Sequence, residues 1–72
     1  MEEFILNDEL IELAKLIKVI GWAETGGHAK QLIKQGEVMV NGDIEYRKRT
    51  KLRKGDVVTV AGRKVLIASP GE

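Results

Sequence analysis

The chain has 72 residues, enough for one domain and no more. It contains no cysteine, so no disulfide supports its small core, and a reducing compartment is the expected setting. Net charge is only +1, which by itself argues for no nucleic-acid partner.

The charge is unevenly placed. Residues 1 to 12 carry Glu2, Glu3, Asp8, Glu9 and Glu12 with no basic residue, whereas residues 47 to 54 read Arg-Lys-Arg-Thr-Lys-Leu-Arg-Lys. Such asymmetry makes a local positive field on a nearly neutral molecule, or it is only a solvated basic loop beside an acidic helix. The start, Met1-Glu2-Glu3-Phe4, lacks the basic end and long apolar run of a secretory signal. Runs such as Val57 to Ala61 are too short to span a bilayer, so the expectation is a cytoplasmic protein without a membrane partner.

In chain order, Phe4-Ile5-Leu6 suggests an edge strand. Asn7 or Asp8 then offers an N-cap, and Leu10, Leu13, Ala14, Ile17 and Ile20 recur at helical spacing up to Gly21. Thr25 is a second N-cap candidate. Ala29, Leu32 and Ile33 form the inner stripe of a second helix that ends at Gly36, with Lys30 and Lys34 side by side on its outer surface. Val38 and Val40 alternate as a strand does, and Asn41-Gly42 favours a two-residue hairpin because both positions of a type I′ turn need positive φ. A weaker strand begins at Ile44. The basic segment 47 to 54 has no apolar period and reads as an exposed loop. Gly55-Asp56 is a turn, Val57 to Val60 and Lys64 to Ala68 are strands joined at Ala61-Gly62-Arg63, and Pro70-Gly71-Glu72 is a frayed end. The fold class is α+β: a two-helix hairpin packed on a small, mainly antiparallel sheet, in a single domain over residues 1–72.

Gly21, Ala23, Thr25, Ala29, Leu32-Ile33, Gly36, Val38, Val40-Asn41-Gly42 and Gly55-Asp56 form a recognisable series. With them, residues 12 to 60 resemble the RNA-binding domain named after ribosomal small-subunit protein four, the S-four domain or alpha-L motif. The run Leu-Ile-x-x-Gly-x-Val-x-Val-Asn-Gly is fairly specific for its length. Trp22, Gly26 and Arg47-Lys48-Arg49 look closest to the small stand-alone bacterial YbcJ-like and YaaA-like members. The resemblance implies non-catalytic binding of structured RNA, ribosomal or transfer RNA, with the second helix and the 47–54 loop on one face. Larger relatives carry this domain as an attachment to enzymes such as pseudouridine synthases and tyrosyl-tRNA synthetases.

This chain departs from the family in having Glu12 where many members carry Arg, Ala14 where they often have Asp, and Thr25-Gly26 where Ser-Arg is common. Two usual basic contacts are therefore missing. Either the RNA surface has moved toward 47 to 54, or affinity is weak, or the role has been lost.

The candidate RNA-binding residues are Thr25, Gly26, Gly27, His28, Lys30, Lys34, Arg47, Lys48, Arg49, Lys51, Arg53 and Lys54. Phosphate attraction supplies most non-specific affinity, and Arg adds bidentate pairing and stacking, which puts Arg47 and Arg49 first. Gly26-Gly27 has two readings. Bare N–H groups at a helix start admit a phosphate, or glycine relieves crowding between the two helices. His28 is either a phosphate contact or a polar surface position. Trp22 and Phe4 suit the core. Tyr46, beside Arg47, either stacks on an unpaired base or packs on the sheet edge.

Catalysis is not expected. There is one histidine and one serine, and Ser69 lies near the end. No phosphate-loop motif or metal-ligand spacing occurs, and the amino-terminal acids suit helix capping. No cofactor or metal is expected, and a monomer is the default. The competing class is a protein-interaction adaptor that keeps the fold and docks through the acidic face or the basic loop. Duplex DNA ranks third, because no helix presents a row of base-reading side chains.

Overall fold

The computed structural model describes residues 1–71. Five strands form the main sheet in the order β1-β7-β6-β3-β4: β1 is Glu2–Ile5, β3 Val38–Val40, β4 Asp43–Ile44, β6 Val57–Val60 and β7 Arg63–Ala68. All neighbours are antiparallel except β1 and β7, which run parallel with Glu2 opposite Val65 and Ile5 opposite Ala68. A second, two-stranded sheet pairs β2 (Ile11–Glu12) with β5 (Lys51–Leu52). The helices are α1 (Leu13–Val19) and α2 (Gly26–Lys34). The frayed end expected at Pro70-Gly71-Glu72 lies partly outside the described residues, since Glu72 is not among them.

The pattern of burial follows the strand and helix periods. Val58 and Val60 on β6, Val65 and Ile67 on β7, and Val38 on β3 are buried against Leu13, Leu16, Ile17, Ala29 and Ile33 of the two helices. Each Val, Leu or Ile of this set contributes about 1.5–3 kcal/mol by leaving water. No polar or charged residue is buried among the described residues. Phe4 and Trp22 are half-buried and pack on this core, as expected for the large aromatics of a small domain.

The hairpin between β3 and β4 turns at Asn41 (φ 52) and Gly42 (φ 88), the left-handed pair that a type I′ turn requires. The β6–β7 hairpin turns the same way at Ala61 and Gly62. The edge strand near Phe4 is present, but it covers Glu2–Ile5 rather than residues 4 to 6.

Two expectations are corrected. The first helix begins at Leu13, not after Asn7 or Asp8. Ile11 and Glu12 are instead drawn into a strand against Leu52 and Lys51, so Asp8 and Glu9 lie in a bend before that strand and cap no helix. Glu12 occupies the N-cap position of α1 without a side-chain cap bond. The segment 47–54 is not wholly a loop either. Its one apolar residue, Leu52, is fully buried in the core, and the pairing of Lys51–Leu52 as β5 anchors the segment to the start of α1.

Candidate functional site

The basic segment is fastened at its beginning, middle and end. At the beginning, the Glu45 carboxylate accepts from the Arg47 backbone N–H at 3.0 Å and from Arg47 Nε at 3.1 Å, while Oε1 accepts from Nη2 at 3.3 Å. The guanidinium holds the Glu45 carboxyl far below its ordinary value, lowered from 4.5 to about 2. In the middle, the carbonyls of Lys48 and Thr50 accept the Ala14 and Leu13 N–H groups at 3.1 and 2.9 Å. These are orphan donors of a helix start, so the basic segment itself caps α1. At the end, Asp56 Oδ2 accepts the Arg53 N–H at 2.8 Å. Asp56 is in turn held by Asn41, whose Nδ2 donates to Oδ1 at 3.0 Å. Six cationic side chains are thus displayed from a backbone with little freedom to retreat.

The cations divide into two sets. Arg47 is paired with Glu45, Arg49 Nε lies 3.6 Å from Glu12, and Arg53 lies 3.8 Å from Glu9. Lys48, Lys51 and Lys54 are exposed and form no ion pair among the described residues. The arginines ranked first from the sequence are therefore the partly neutralised members, and the lysines carry the uncompensated field. The departure at Glu12 is offset locally, because Glu12 takes a partner from the basic segment.

Helix α2 supplies the second group. Thr25 Oγ1 accepts the His28 N–H at 3.0 Å, so Thr25 is the N-cap expected from the sequence. His28 Nδ1 accepts the Glu24 N–H at 3.4 Å, which makes His28 part of the same cap. Lys30 and Lys34 are exposed. With Gly26 they succeed one another at four-residue spacing along one side of the helix. Crowding does not explain the paired glycines: a Cβ at Gly26 would meet nothing within 4 Å, and one at Gly27 would meet only Thr25 Oγ1 at 3.8 Å.

One hollow joins helix and segment. Lys30 of α2 lines it together with Lys48 and Arg49, over a floor that includes Ala14 and Glu12. A second, shallower hollow is lined by residues 46 to 51 alone. The hollows and hydrogen bonds described above do not bring Lys34, Arg53, Lys54, Thr25, Gly26, Gly27 or His28 to Lys30, Lys48 and Arg49. Two residues absent from the sequence-based candidates belong to the site, Glu45 and Glu12, because each positions an arginine. Opposite charge two residues from Arg47 is a local signal for the first, whereas the second depends on a contact 37 residues apart that no local pattern carries.

Among the described residues no helix is long and apolar enough to cross a membrane, and no group of three or more His, Asp or Glu side chains could hold a metal ion.

Similarity to known proteins agrees with this architecture. The solution structure of YbcJ from Escherichia coli, described as revealing an alpha-L motif involved in RNA-binding, superposes with a TM-score of 0.71 at 40% identity, covering 94% of this chain and 87% of that one. In sequence, the chain is 42% identical over 59 residues to the protein named "Putative RNA-binding protein YbcJ" of Escherichia coli (strain K12), 82% of this chain and 84% of that protein. It is 35% identical over 57 residues to "Probable ribosome maturation protein RlbA" of Bacillus subtilis (strain 168), 79% and 80% of the two chains. The family described as "S4 domain" matches residues 4–68. With that match spanning both sheets and both helices, the chain belongs to the S4-domain family.

Proposed function

We propose that the protein is a non-catalytic module, one domain over residues 1–72, that binds structured RNA through the face where α2 meets the basic segment. The observation that carries this reading is the shared hollow of Lys30, Lys48 and Arg49, which sets cations from two distant parts of the chain side by side. Phosphates of a folded RNA recur a few ångströms apart, and a rigid cluster of cations matches them without first ordering a loop. Lys30, Lys48, Lys51 and Lys54 supply free charge, with Lys34 further along α2. Arg49 and Arg53 exchange a carboxylate for a phosphate, which is inexpensive at exposed ion pairs, while Arg47 stays bonded to Glu45. The first turn of α2, with Thr25, Gly26, Gly27 and His28, gives a backbone unobstructed by side chains on the helix that bears Lys30.

The finer assignment, ribosomal or transfer RNA, rests on the family and on the name of the ribosome-maturation relative. The competing protein-adaptor reading would dock through the amino-terminal acids or the basic loop, and the cations that α2 and the segment bring together around Lys30, Lys48 and Arg49 favour RNA over it.

The test is fluorescence anisotropy of a structured RNA hairpin across a salt series, with wild type, a Lys30→Glu/Lys48→Glu variant and Lys64→Glu. Lys64 lines a different hollow, with Met1, Glu2 and Arg63. With four or five phosphate contacts, log affinity falls with log salt at a slope of about −3 to −4. The double variant loses most binding and Lys64→Glu retains it. A folded wild type that binds no RNA at low salt overturns the proposal.

A further inference from the structure

Tyr46 is the aromatic residue that the core does not use: 63% of its surface is exposed, between Glu45 and Arg47 at the start of the basic segment. An exposed ring is costly to keep in water, and two features hold this one in place. Its edge rests on the backbone of Gly36, where an added Cβ would lie 3.3 Å from both Cε1 and Oη of the ring. Gly36 also has φ +78, so a side chain is disfavoured there on two counts. Next in the chain, the Arg47 guanidinium is fixed by its paired bonds to Glu45. Tyr46 and Arg47 begin the shallow hollow that continues through Lys48, Arg49, Thr50 and Lys51. That hollow is walled largely by carbon although four of its six residues are cationic, as expected where long basic side chains lend their stems to a surface and keep their charges in water.

A flat, carbon-lined depression with one fixed ring, one fixed guanidinium and a cationic rim suits a planar heterocycle attached to a phosphate backbone. We infer that Tyr46 and Arg47 form a stacking site for a single unpaired base, so that the preferred RNA is a folded one presenting a bulged or loop nucleotide beside its helical backbone. The inference rests on the RNA-binding reading and narrows it. Continuous duplex keeps its bases stacked inside and offers the ring nothing, whereas an extruded base stacks on aromatic and guanidinium planes alike. The phosphates on either side of that base then fall to Lys48 and Lys51.

The experiment uses two hairpins identical except that one carries a single bulged 2-aminopurine, each titrated with wild type, Tyr46→Leu and Tyr46→Trp, with thermal unfolding to show that every variant is folded. Wild type is expected to prefer the bulged hairpin by about 5- to 150-fold, the range typical of one stacked base. It should also quench the 2-aminopurine fluorescence on binding. Tyr46→Leu should bind both hairpins equally without quenching, and Tyr46→Trp should keep preference and quenching. Wild type that binds both hairpins alike, with Tyr46→Leu indistinguishable from it, overturns the stacking site and leaves the RNA module standing. Wild type that binds neither overturns both.

Discussion

Asn41 and Asp56, fifteen residues apart, are joined by a side-chain hydrogen bond of 3.0 Å, while Asn41 Oδ1 accepts the Val57 N–H at 2.9 Å. The asparagine that makes the β3–β4 turn therefore also ties that turn to the end of the basic segment. Asn41→Gly keeps the positive φ and removes both bonds, so it isolates the tie. We expect a loss of about 1–2 kcal/mol in denaturant unfolding, from two partly exposed hydrogen bonds. Asn41→Asp should cost more, because it sets a second carboxylate against Asp56.

Leu52 separates the two functions of the basic segment, which must be soluble on one side and anchored on the other. Its side chain is fully buried. Leu52→Ala is expected to cost about 2–5 kcal/mol. That approaches the whole stability of a domain this small. Leu52→Met should cost less than about 1.5 kcal/mol and leave RNA affinity unchanged. Thermal unfolding checks both, and a Leu52→Ala variant as stable as wild type would contradict the anchoring role.

Glu45 supplies a pH signature. Its carboxyl titrates near 4.5 in the unfolded chain and at about 2 when bonded to Arg47. A depressed carboxyl adds stability in full above the unfolded value and loses it as pH falls through the folded one, here between 4.5 and about 2. The pair is solvent-screened, so its share of the total is small. Carbon-detected titration should place the Glu45 midpoint near 2, and Arg47→Ala should raise it toward the ordinary carboxylate range, with the backbone N–H of residue 47 still bonded to the carboxylate.

Glu12 restrains the site's charge. Its pair with Arg49 is long, at 3.6 Å, and both side chains are substantially exposed. Glu12→Gln should therefore change stability by less than about 1 kcal/mol. It should also raise RNA affinity and steepen the salt slope by up to about 0.9, the increment for one more neutralised phosphate. Unchanged affinity would mean that Arg49 does not face RNA.

What was legible in the sequence was local. Thr25 as a cap, Asn41-Gly42 as a turn, and the valine strands at 38–40 and 57–60 each follow from neighbouring residues and agree with the structure. The start of α1 was misplaced because Leu10, Leu13 and Ala14 fit a helical stripe. The strand that claims Ile11 instead pairs with Leu52, 41 residues away. For the same reason a lone leucine among six cations gave no sign of being core. The face that unites Lys30 with Lys48 was expected only through family resemblance, since neither spacing nor charge connects α2 to the segment. The pairing of Arg49 and Arg53 with Glu12 and Glu9 was likewise invisible along the chain.

If RNA meets the single face formed by α2 and residues 46–54, a structured RNA hairpin titrated into nitrogen-labelled protein should shift the backbone amides of residues 26–34 and 46–54, with β1 and β7 nearly still. Shifts centred on Glu2–Ile5 and Arg63–Ala68, with Lys30 and Lys48 unmoved, would contradict that placement.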